Sequence, residues 1–216
     1  MRTEIKFCGL TRAADAREAV ALGAGYVGVI FASGPRRLSL EKAREVLADV
    51  PESVRRVGVF ADTTGDAIAA AAGALQLGAV QLHGEDGGRL LEDVRSRFDG
   101  EVWSVLRLRE GRLPEHAAEA FTSADGVLLE AHVAGKLGGT GVTLPWERLV
   151  DELDAIRRNG KGRLVLAGGL KAENVGEAIR LLRPDVVDVS SGVETAPGIK
   201  DHARMRAFRD AVHAST

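Results

Sequence analysis

The chain has 216 residues, of which 45% are hydrophobic and 28% are charged, and its formal net charge is -2 at pH 7. This composition is typical of a globular protein. The near-zero charge excludes a strong long-range field that would attract nucleic acid or anionic lipid. We therefore expect a small neutral or anionic ligand held by local groups, and no nucleic acid or membrane partner.

Cysteine content and hydropathy bear on the cellular compartment. Cys8 is the single cysteine of the sequence, so an intramolecular disulfide is impossible. No apolar run approaches the roughly 18 residues of a membrane span, and the first residues lead directly into a strand pattern without the apolar segment of a signal peptide. These features predict a cytoplasmic protein.

Short apolar runs alternate with longer segments of helical spacing along the whole chain, which is typical of parallel α/β folds. The predicted strands are Glu4–Cys8, Gly25–Phe31, Val54–Phe60, Ala79–His83, Glu101–Leu106, Gly126–Glu130, Arg163–Ala167 and Val186–Ser190. The predicted helices are Ala13–Leu22, Leu40–Ala48, Asp66–Leu75, Gly88–Phe98, Leu113–Phe121, Pro145–Arg158, Ala172–Leu182 and Asp201–His213, and the pattern is weakest over Leu113–Phe121.

Eight strands in this length leave about 27 residues for each strand and helix pair, which is enough for a helix of about three turns. The sequence therefore predicts a single (β/α)8 TIM barrel over residues 1–216. A doubly wound open sheet that binds a dinucleotide is the structural alternative. It would usually carry G-x-G-x-x-G at its first turn, and this sequence has none there.

Catalytic groups of such barrels gather at the carboxyl ends of the strands. Gly168 and Gly169 follow the seventh predicted strand, and Ser191 and Gly192 follow the eighth. Glycines let the backbone approach an anion closely, and the loops after strands seven and eight form the common phosphate site of this fold. We expect these four residues to bind a phosphate group.

Two residues at strand ends are candidate catalytic groups. Cys8 ends the first predicted strand. A lone cysteine is more often a core residue. At the catalytic face, however, a nearby cation such as Arg12 or Arg36 could activate it as a thiolate. Glu130 ends an apolar strand, where burial would raise its pKa and suit it to general acid catalysis. A loop carboxylate paired with Lys136 is the alternative for Glu130.

The remaining candidates concern substrate contacts. Arg36 follows the second strand and could clamp a substrate carboxylate, with Arg37 as its competitor. His83 is a polar site residue or a structural histidine. The other histidines lack metal-ligand spacing, so we expect no metal. The glycine-rich segment 131–144 predicts a mobile lid or a long disordered loop.

Several motifs, in order, resemble the phosphoribosylanthranilate isomerase family along nearly the whole chain. They are Lys6-Phe7-Cys8-Gly9-Leu10-Thr11, Gly28-Val29-Ile30-Phe31 with Pro35-Arg36, Val57-Gly58-Val59-Phe60, Gln81-Leu82-His83-Gly84, Gly138-Gly139-Thr140-Gly141, Leu166-Ala167-Gly168-Gly169-Leu170 and Asp188-Val189-Ser190-Ser191-Gly192-Val193-Glu194.

The resemblance implies an Amadori rearrangement of N-(5'-phosphoribosyl)anthranilate in tryptophan biosynthesis, without a cofactor. It makes Cys8 the general base, Arg36 the group that holds the anthranilate carboxylate, and Asp188 a residue close to the substrate. Gly168, Gly169, Ser191 and Gly192 match the phosphate loops of the family.

The sequence departs from the family at the acid, because the family carries an aspartate after Leu-Leu and this chain carries Glu130. The extra methylene moves the carboxyl group by more than about 1 Å unless the backbone retreats, and such a displacement can reduce the rate. A related isomerase of histidine biosynthesis is a second possibility, although those barrels use an aspartate where this chain has Cys8. A phosphate-binding barrel without activity is the third.

Overall fold

The computed structural model describes residues 2–83, 87–131 and 143–215. Eight parallel strands form a closed barrel in sequence order, with the last strand paired to the first. The strands are β1 (Glu4–Phe7), β2 (Tyr26–Ile30), β3 (Arg55–Ala61), β4 (Ala79–His83), β5 (Glu101–Leu108), β6 (Gly126–Ala131), β7 (Arg163–Leu166) and β8 (Val186–Val189). The predicted TIM barrel is confirmed.

A helix follows each strand, and within the described residues these helices surround the barrel. They are α1 (Ala13–Ala21), α2 (Leu40–Leu47), α3 (Gly65–Leu75), α4 (Gly87–Arg95), α5 (Ala117–Ser123), α6 (Trp146–Arg157), α7 (Ala172–Leu182) and α8 (His202–His213). None of them combines the length and the hydropathy that crossing a bilayer requires.

Most element boundaries agree with the predicted ones to within three residues, and the weakest helix is the largest exception. Helix α5 begins at Ala117 rather than Leu113, because the chain first forms a turn in which Ala117 N-H donates to the Pro114 carbonyl at 2.9 Å. The predicted first and eighth strands are also too long. Strands β1 and β8 end at Phe7 and Val189, which leaves Cys8 and Ser190 in the loops just beyond the sheet.

Two apolar layers build the core, because successive side chains of a strand point to opposite faces of the sheet. Ile5 and Phe7 of β1 belong to the large layer between the sheet and the helices. A smaller cluster fills the barrel interior and includes Tyr26 and Trp103, whose rings meet edge to face at 4.9 Å. The charged side chain of Lys6 enters this interior and is fully buried.

A short antiparallel hairpin, absent from the sequence prediction, lies between β8 and α8. After a 3-10 turn at Ser191–Val193, β9 (Glu194–Ala196) pairs with β10 (Ile199–Lys200). The Gly198 backbone has φ +81 at the turn, and its carbonyl accepts a hydrogen bond from Thr11 Oγ1 at 2.5 Å. The hairpin is thereby fixed beside the loop that follows β1.

Candidate active site

One pocket of about 710 Å³, including its open mouth, lies at the carboxyl ends of the strands. This is within the usual size range of ligand pockets. All residues proposed for the site from the sequence line this one pocket: Cys8, Arg36, His83, Glu130, Gly168, Gly169, Asp188, Ser191 and Gly192. The structure therefore brings the predicted site residues together, while their chemical roles stay predictions.

Cys8 lies in the pocket with the ammonium groups of Lys6 and Lys200 near it. A side-chain carbon at Gly28 would come within 3.0 Å of Cys8 Sγ and 3.3 Å of Lys6 Cε, so the glycine makes room for both. Burial raises the pKa of the Cys8 thiol above its ordinary value, and the positive charges of Lys6 and Lys200 only partly oppose this effect. The Cys8 thiol is therefore mostly protonated at neutral pH.

The prediction of an activating arginine is wrong for Arg12, whereas Arg36 does interact electrostatically with Cys8. The Arg12 guanidinium binds Asp15 through two hydrogen bonds of 2.9 and 2.7 Å and also donates to the Lys200 carbonyl. The Arg12 guanidinium therefore links the first turn of α1 to the nearby hairpin. The cations that act most strongly on Cys8 are Lys6, which is two residues away on the same face of the chain, and Lys200.

A chain of polar contacts crosses the barrel from Asp188 to His83. Lys6 Nζ donates to Asp188 Oδ2 and to Gln81 Oε1, both at 3.0 Å. Since the Gln81 oxygen faces Lys6, its amide nitrogen is the donor toward His83 Nε2 at 2.8 Å. The imidazole then carries its proton on Nδ1. Asp188 Oδ1 and His83 Nδ1 are buried without a hydrogen-bond partner among the described residues.

Glu130 is the penultimate residue of β6 and lies opposite Arg107, its register partner on β5. Arg107 Nε donates to Glu130 Oε1 at 3.2 Å, and His83 Nδ1 lies 3.6 Å from the same oxygen. Burial raises the pKa of Glu130, and Arg107 opposes but does not cancel this rise. The expected direction of the shift is confirmed. Lys136, the alternative partner of Glu130, lies outside the described residues, as does most of the predicted lid at 131–144.

Burial lowers the pKa of His83 from 6.5 to about 3, and the nearby Arg107 and Lys6 charges act in the same direction. The imidazole is therefore neutral at physiological pH. A neutral ring can donate one hydrogen bond through Nδ1 and accept one through Nε2. His83 thus lines the pocket as a polar group and also joins the buried network.

Arg36 lies at the pocket with one edge of its guanidinium already bound. Its Nε and Nη2 atoms donate to the two carboxylate oxygens of Glu194 at 2.9 and 2.6 Å. The predicted clamp on a substrate carboxylate could therefore not use this edge. The terminal edge, formed by Nη1 and the second Nη2 hydrogen, is the edge left for a ligand.

The two glycine loops meet at the pocket beside β7 and β8. Gly168 and Gly169 have φ values of +85 and +63, which favour glycine. Asn174 Nδ2 donates to the Gly169 carbonyl at 3.0 Å and fixes this loop against α7. A side-chain carbon at Gly192 would lie 1.9 Å from the Leu170 carbonyl oxygen. The loops can approach each other this closely because residue 192 has no side chain.

Sequence reasoning missed Lys6, Gln81, Arg107 and Lys200 and assigned no role to Glu194. A usable signal existed for two of them, since Lys6 shares a strand face with Cys8 and Gln81 shares one with His83. The contact of Arg107 with Glu130 follows only from the register between β5 and β6. The positions of Glu194 and Lys200 follow only from the hairpin, which the sequence did not predict.

Comparison with known proteins agrees with this geometry. Residues 5–211 match the family model described as N-(5'phosphoribosyl)anthranilate (PRA) isomerase. A curated relative, N-(5'-phosphoribosyl)anthranilate isomerase of Acidithiobacillus ferrooxidans, is 42% identical over 205 residues, which is 94% of each chain.

Solved structures of the same name share the fold. The phosphoribosyl anthranilate isomerase of Thermotoga maritima has a TM-score of 0.86 at 35% identity and covers 98% of this chain and 99% of its own. Another structure of such an isomerase, in complex with reduced 1-(o-carboxyphenylamino)-1-deoxyribulose 5-phosphate, has a TM-score of 0.83 at 34% identity, with the same coverage. This chain therefore belongs to the N-(5'-phosphoribosyl)anthranilate isomerase family.

Proposed function

We propose that this chain isomerises N-(5'-phosphoribosyl)anthranilate to 1-(2-carboxyphenylamino)-1-deoxyribulose 5-phosphate, the Amadori step of tryptophan biosynthesis, by acid and base catalysis from its own side chains. The observation that carries the proposal is the convergence of Cys8, Glu130, Arg36 and the two glycine loops on one pocket. The family to which the chain belongs supports the same activity. A cytoplasmic location and a small phosphorylated substrate are part of this proposal.

The order of strands around the barrel matches the order of groups along the substrate. Strand β1 pairs with β8 on one side and with β2 on the other. Cys8, after β1, thus lies between the phosphate loops after β7 and β8 and Arg36 after β2. In the substrate the reacting carbons C1' and C2' likewise lie between the phosphate and the anthranilate carboxylate, so a bound molecule would present them to Cys8.

Glu130 acts first, as the general acid. Its raised pKa favours the protonated carboxyl group, which donates its proton to the ring oxygen of the furanose. The bond between that oxygen and C1' breaks, and the nitrogen lone pair forms a C1'=N bond. The product of this step is an open-chain iminium ion. Arg107 and the Nδ1 proton of His83 are close enough to stabilise the carboxylate that remains on Glu130.

Cys8 acts second, as the general base. Its thiolate removes the proton on C2', and the electrons of that C-H bond form C1'=C2' while the C1'=N electrons return to nitrogen. The enolamine then becomes the ketone when C1' gains a proton and the C2' hydroxyl loses one. A positive charge nearby lowers the pKa of a thiol. The iminium charge therefore favours the thiolate when C2' is deprotonated, which offsets the effect of burial on the thiol.

The other pocket residues bind and orient the substrate. Asp188 Oδ1 is buried without a described partner and can accept a hydrogen bond from a sugar hydroxyl, while Oδ2 remains held by Lys6. The terminal edge of Arg36 takes the anthranilate carboxylate. Backbone N-H groups near Gly168, Gly169, Ser191 and Gly192 take the phosphate oxygens.

Growth of a tryptophan auxotroph blocked at this isomerisation tests the proposal. We expect the chain to restore growth without tryptophan and the Cys8→Ala variant not to restore it. Each strain is also tested with added tryptophan and for expression of the folded protein. No growth from well-expressed parent chain, together with no turnover by the purified chain, would contradict the proposed function and favour a barrel that binds phosphate without catalysis.

A further inference from the structure

A buried cluster of Arg36, Glu194 and Lys200 joins the β9–β10 hairpin to the ends of β1, β2 and β8. Glu194 binds Arg36 at 2.9 and 2.6 Å and Lys200 at 2.8 Å, and the side chains of Glu194 and Lys200 are 4% and 0% exposed. Arg36 binds the substrate carboxylate in the proposed reaction, whereas Glu194 and Lys200 contact no reacting group in it. Their contacts indicate what they do.

Lys200 has no proton left for a ligand, and Glu194 is buried and already accepts four hydrogen bonds. Lys200 Nζ has three protons, and it donates to the carbonyls of Cys8 and Ser190 at 2.6 and 3.1 Å as well as to Glu194. Glu194 Oε1 accepts from Arg36, Lys200 and the Gly198 backbone, and Oε2 accepts from Arg36. Burial would raise the pKa of Glu194, but Arg36 and Lys200 outweigh it and keep the carboxylate ionised.

The same contacts fix the orientation of Arg36. A guanidinium offers two donor edges of equal width, and either could meet a carboxylate. Glu194 occupies the Nε edge, so only the terminal edge can face the pocket. Gly9 completes the arrangement, because a side-chain carbon there would lie 2.6 Å from Arg36 Cδ. Through Lys200, the carboxylate that orients Arg36 is tied to the backbone of Cys8.

We propose that Glu194 is a positioning residue for specificity: it holds Arg36 so that the terminal edge of the guanidinium selects substrates with a carboxylate on the aromatic amine. Lys200 anchors Glu194 to the strand end that carries Cys8. This inference rests on the proposed function. It adds that discrimination for the carboxylate depends on a residue that does not touch the substrate.

Two substrates separate this role from a general structural one. N-(5'-phosphoribosyl)anthranilate carries the carboxylate, and N-(5'-phosphoribosyl)aniline is the same molecule without it. In Glu194→Gln the amide offers one acceptor oxygen and turns N-H groups toward Arg36 or Lys200. We expect a rise in KM of about threefold to tenfold for the anthranilate compound, because binding must then order Arg36. We expect kcat to change by less than about twofold and the kinetics of the aniline compound to stay at the parent values.

Double-mutant analysis provides the second readout. If Glu194 acts through Arg36, adding Glu194→Gln to an Arg36→Lys variant leaves KM unchanged, since lysine has no planar edge to orient. Glu177→Gln, at an exposed position of α7, is the matched control and should behave like the parent.

Three results would overturn the inference. They are an equal rise in KM for both substrates, a Glu194→Gln effect on KM that is as large in the Arg36→Lys background as in the parent, and a fall in KM for the anthranilate compound. A parent chain that turns over neither substrate would instead contradict the proposed function. If Glu194→Gln is unfolded by circular dichroism, Glu194→Asp replaces it in the same measurements, and the same substrate-selective rise in KM is expected.

Discussion

Replacing Glu130 by glutamine should change the shape of the pH profile as well as the rate. In the parent, catalysis requires Glu130 protonated and Cys8 ionised. Burial raises both pKa values above their ordinary ones, and a thiol ordinarily titrates at higher pH than a carboxyl group. Between them, one pH unit upward gives about tenfold more thiolate and about tenfold less protonated acid. The two changes cancel, and kcat/KM is flat.

Glutamine has no titrating proton, so the variant lacks the group whose protonated fraction falls as the pH rises. The variant loses the acid, which in enzymes generally contributes about 10² to 10⁴ in rate, and its residual rate then follows the thiolate alone. We expect log kcat/KM to rise with a slope of about one per pH unit until the pH approaches the pKa of Cys8. Over about two pH units between the pKa values of the two groups, this is a rise of about a hundredfold where the parent changes little.

The assay is kcat/KM for N-(5'-phosphoribosyl)anthranilate, measured from substrate consumption across this pH range for both proteins. Glu130→Asp is the matched control, because it keeps a titrating acid and should keep both the flat profile and most or all of the activity. A flat profile and full activity in Glu130→Gln would refute the assignment of Glu130 as the acid. A slope of one in the parent would refute the requirement for two oppositely ionised groups.

Two further predictions concern stability and phosphate binding. The pKa of His83 is about 3 in the folded chain against 6.5 ordinarily. Its contribution to stability is thus complete above pH 6.5 and is lost as pH falls toward 3. Between about pH 8 and about pH 5, the free energy of unfolding of the parent should fall by ~2 kcal/mol more than that of His83→Asn, as measured by urea unfolding. Equal falls in the two proteins would contradict this. Gly192→Ala should abolish the binding of inorganic phosphate measured by calorimetry, because its Cβ would lie 1.9 Å from the Leu170 oxygen. Gly73→Ala, which has open space around it, should bind phosphate normally. Equal phosphate binding by the two variants would be evidence against the site.

The sequence predicted the barrel well because each of its units carries its own signal. An almost continuous apolar strand is distinct from the amphipathic helix that follows it, and the order of the units determines the order of strands in the sheet. The rule that function gathers at the carboxyl ends of the strands then selected Cys8, Glu130 and the glycine loops, all of which line one pocket.

The errors and omissions have physical causes. Asp15 lies one helical turn after Arg12, where an ion pair is favourable, and the structure shows that pair in place of the expected action of Arg12 on Cys8. Lys6 stands between apolar residues of the first strand, and no sequence pattern shows that its ammonium group reaches Asp188 through the interior. Glu194 reaches Arg36 across 158 residues of sequence, and nothing local in the chain indicates that contact.

Turnover of N-(5'-phosphoribosyl)anthranilate by the purified chain and its Cys8→Ala variant tests the central claim most directly. The account predicts that the parent forms the ketose product and that the variant, still folded and still able to bind inorganic phosphate, forms none above the uncatalysed rate. A variant that works at the parent rate would show that the thiol is not the base.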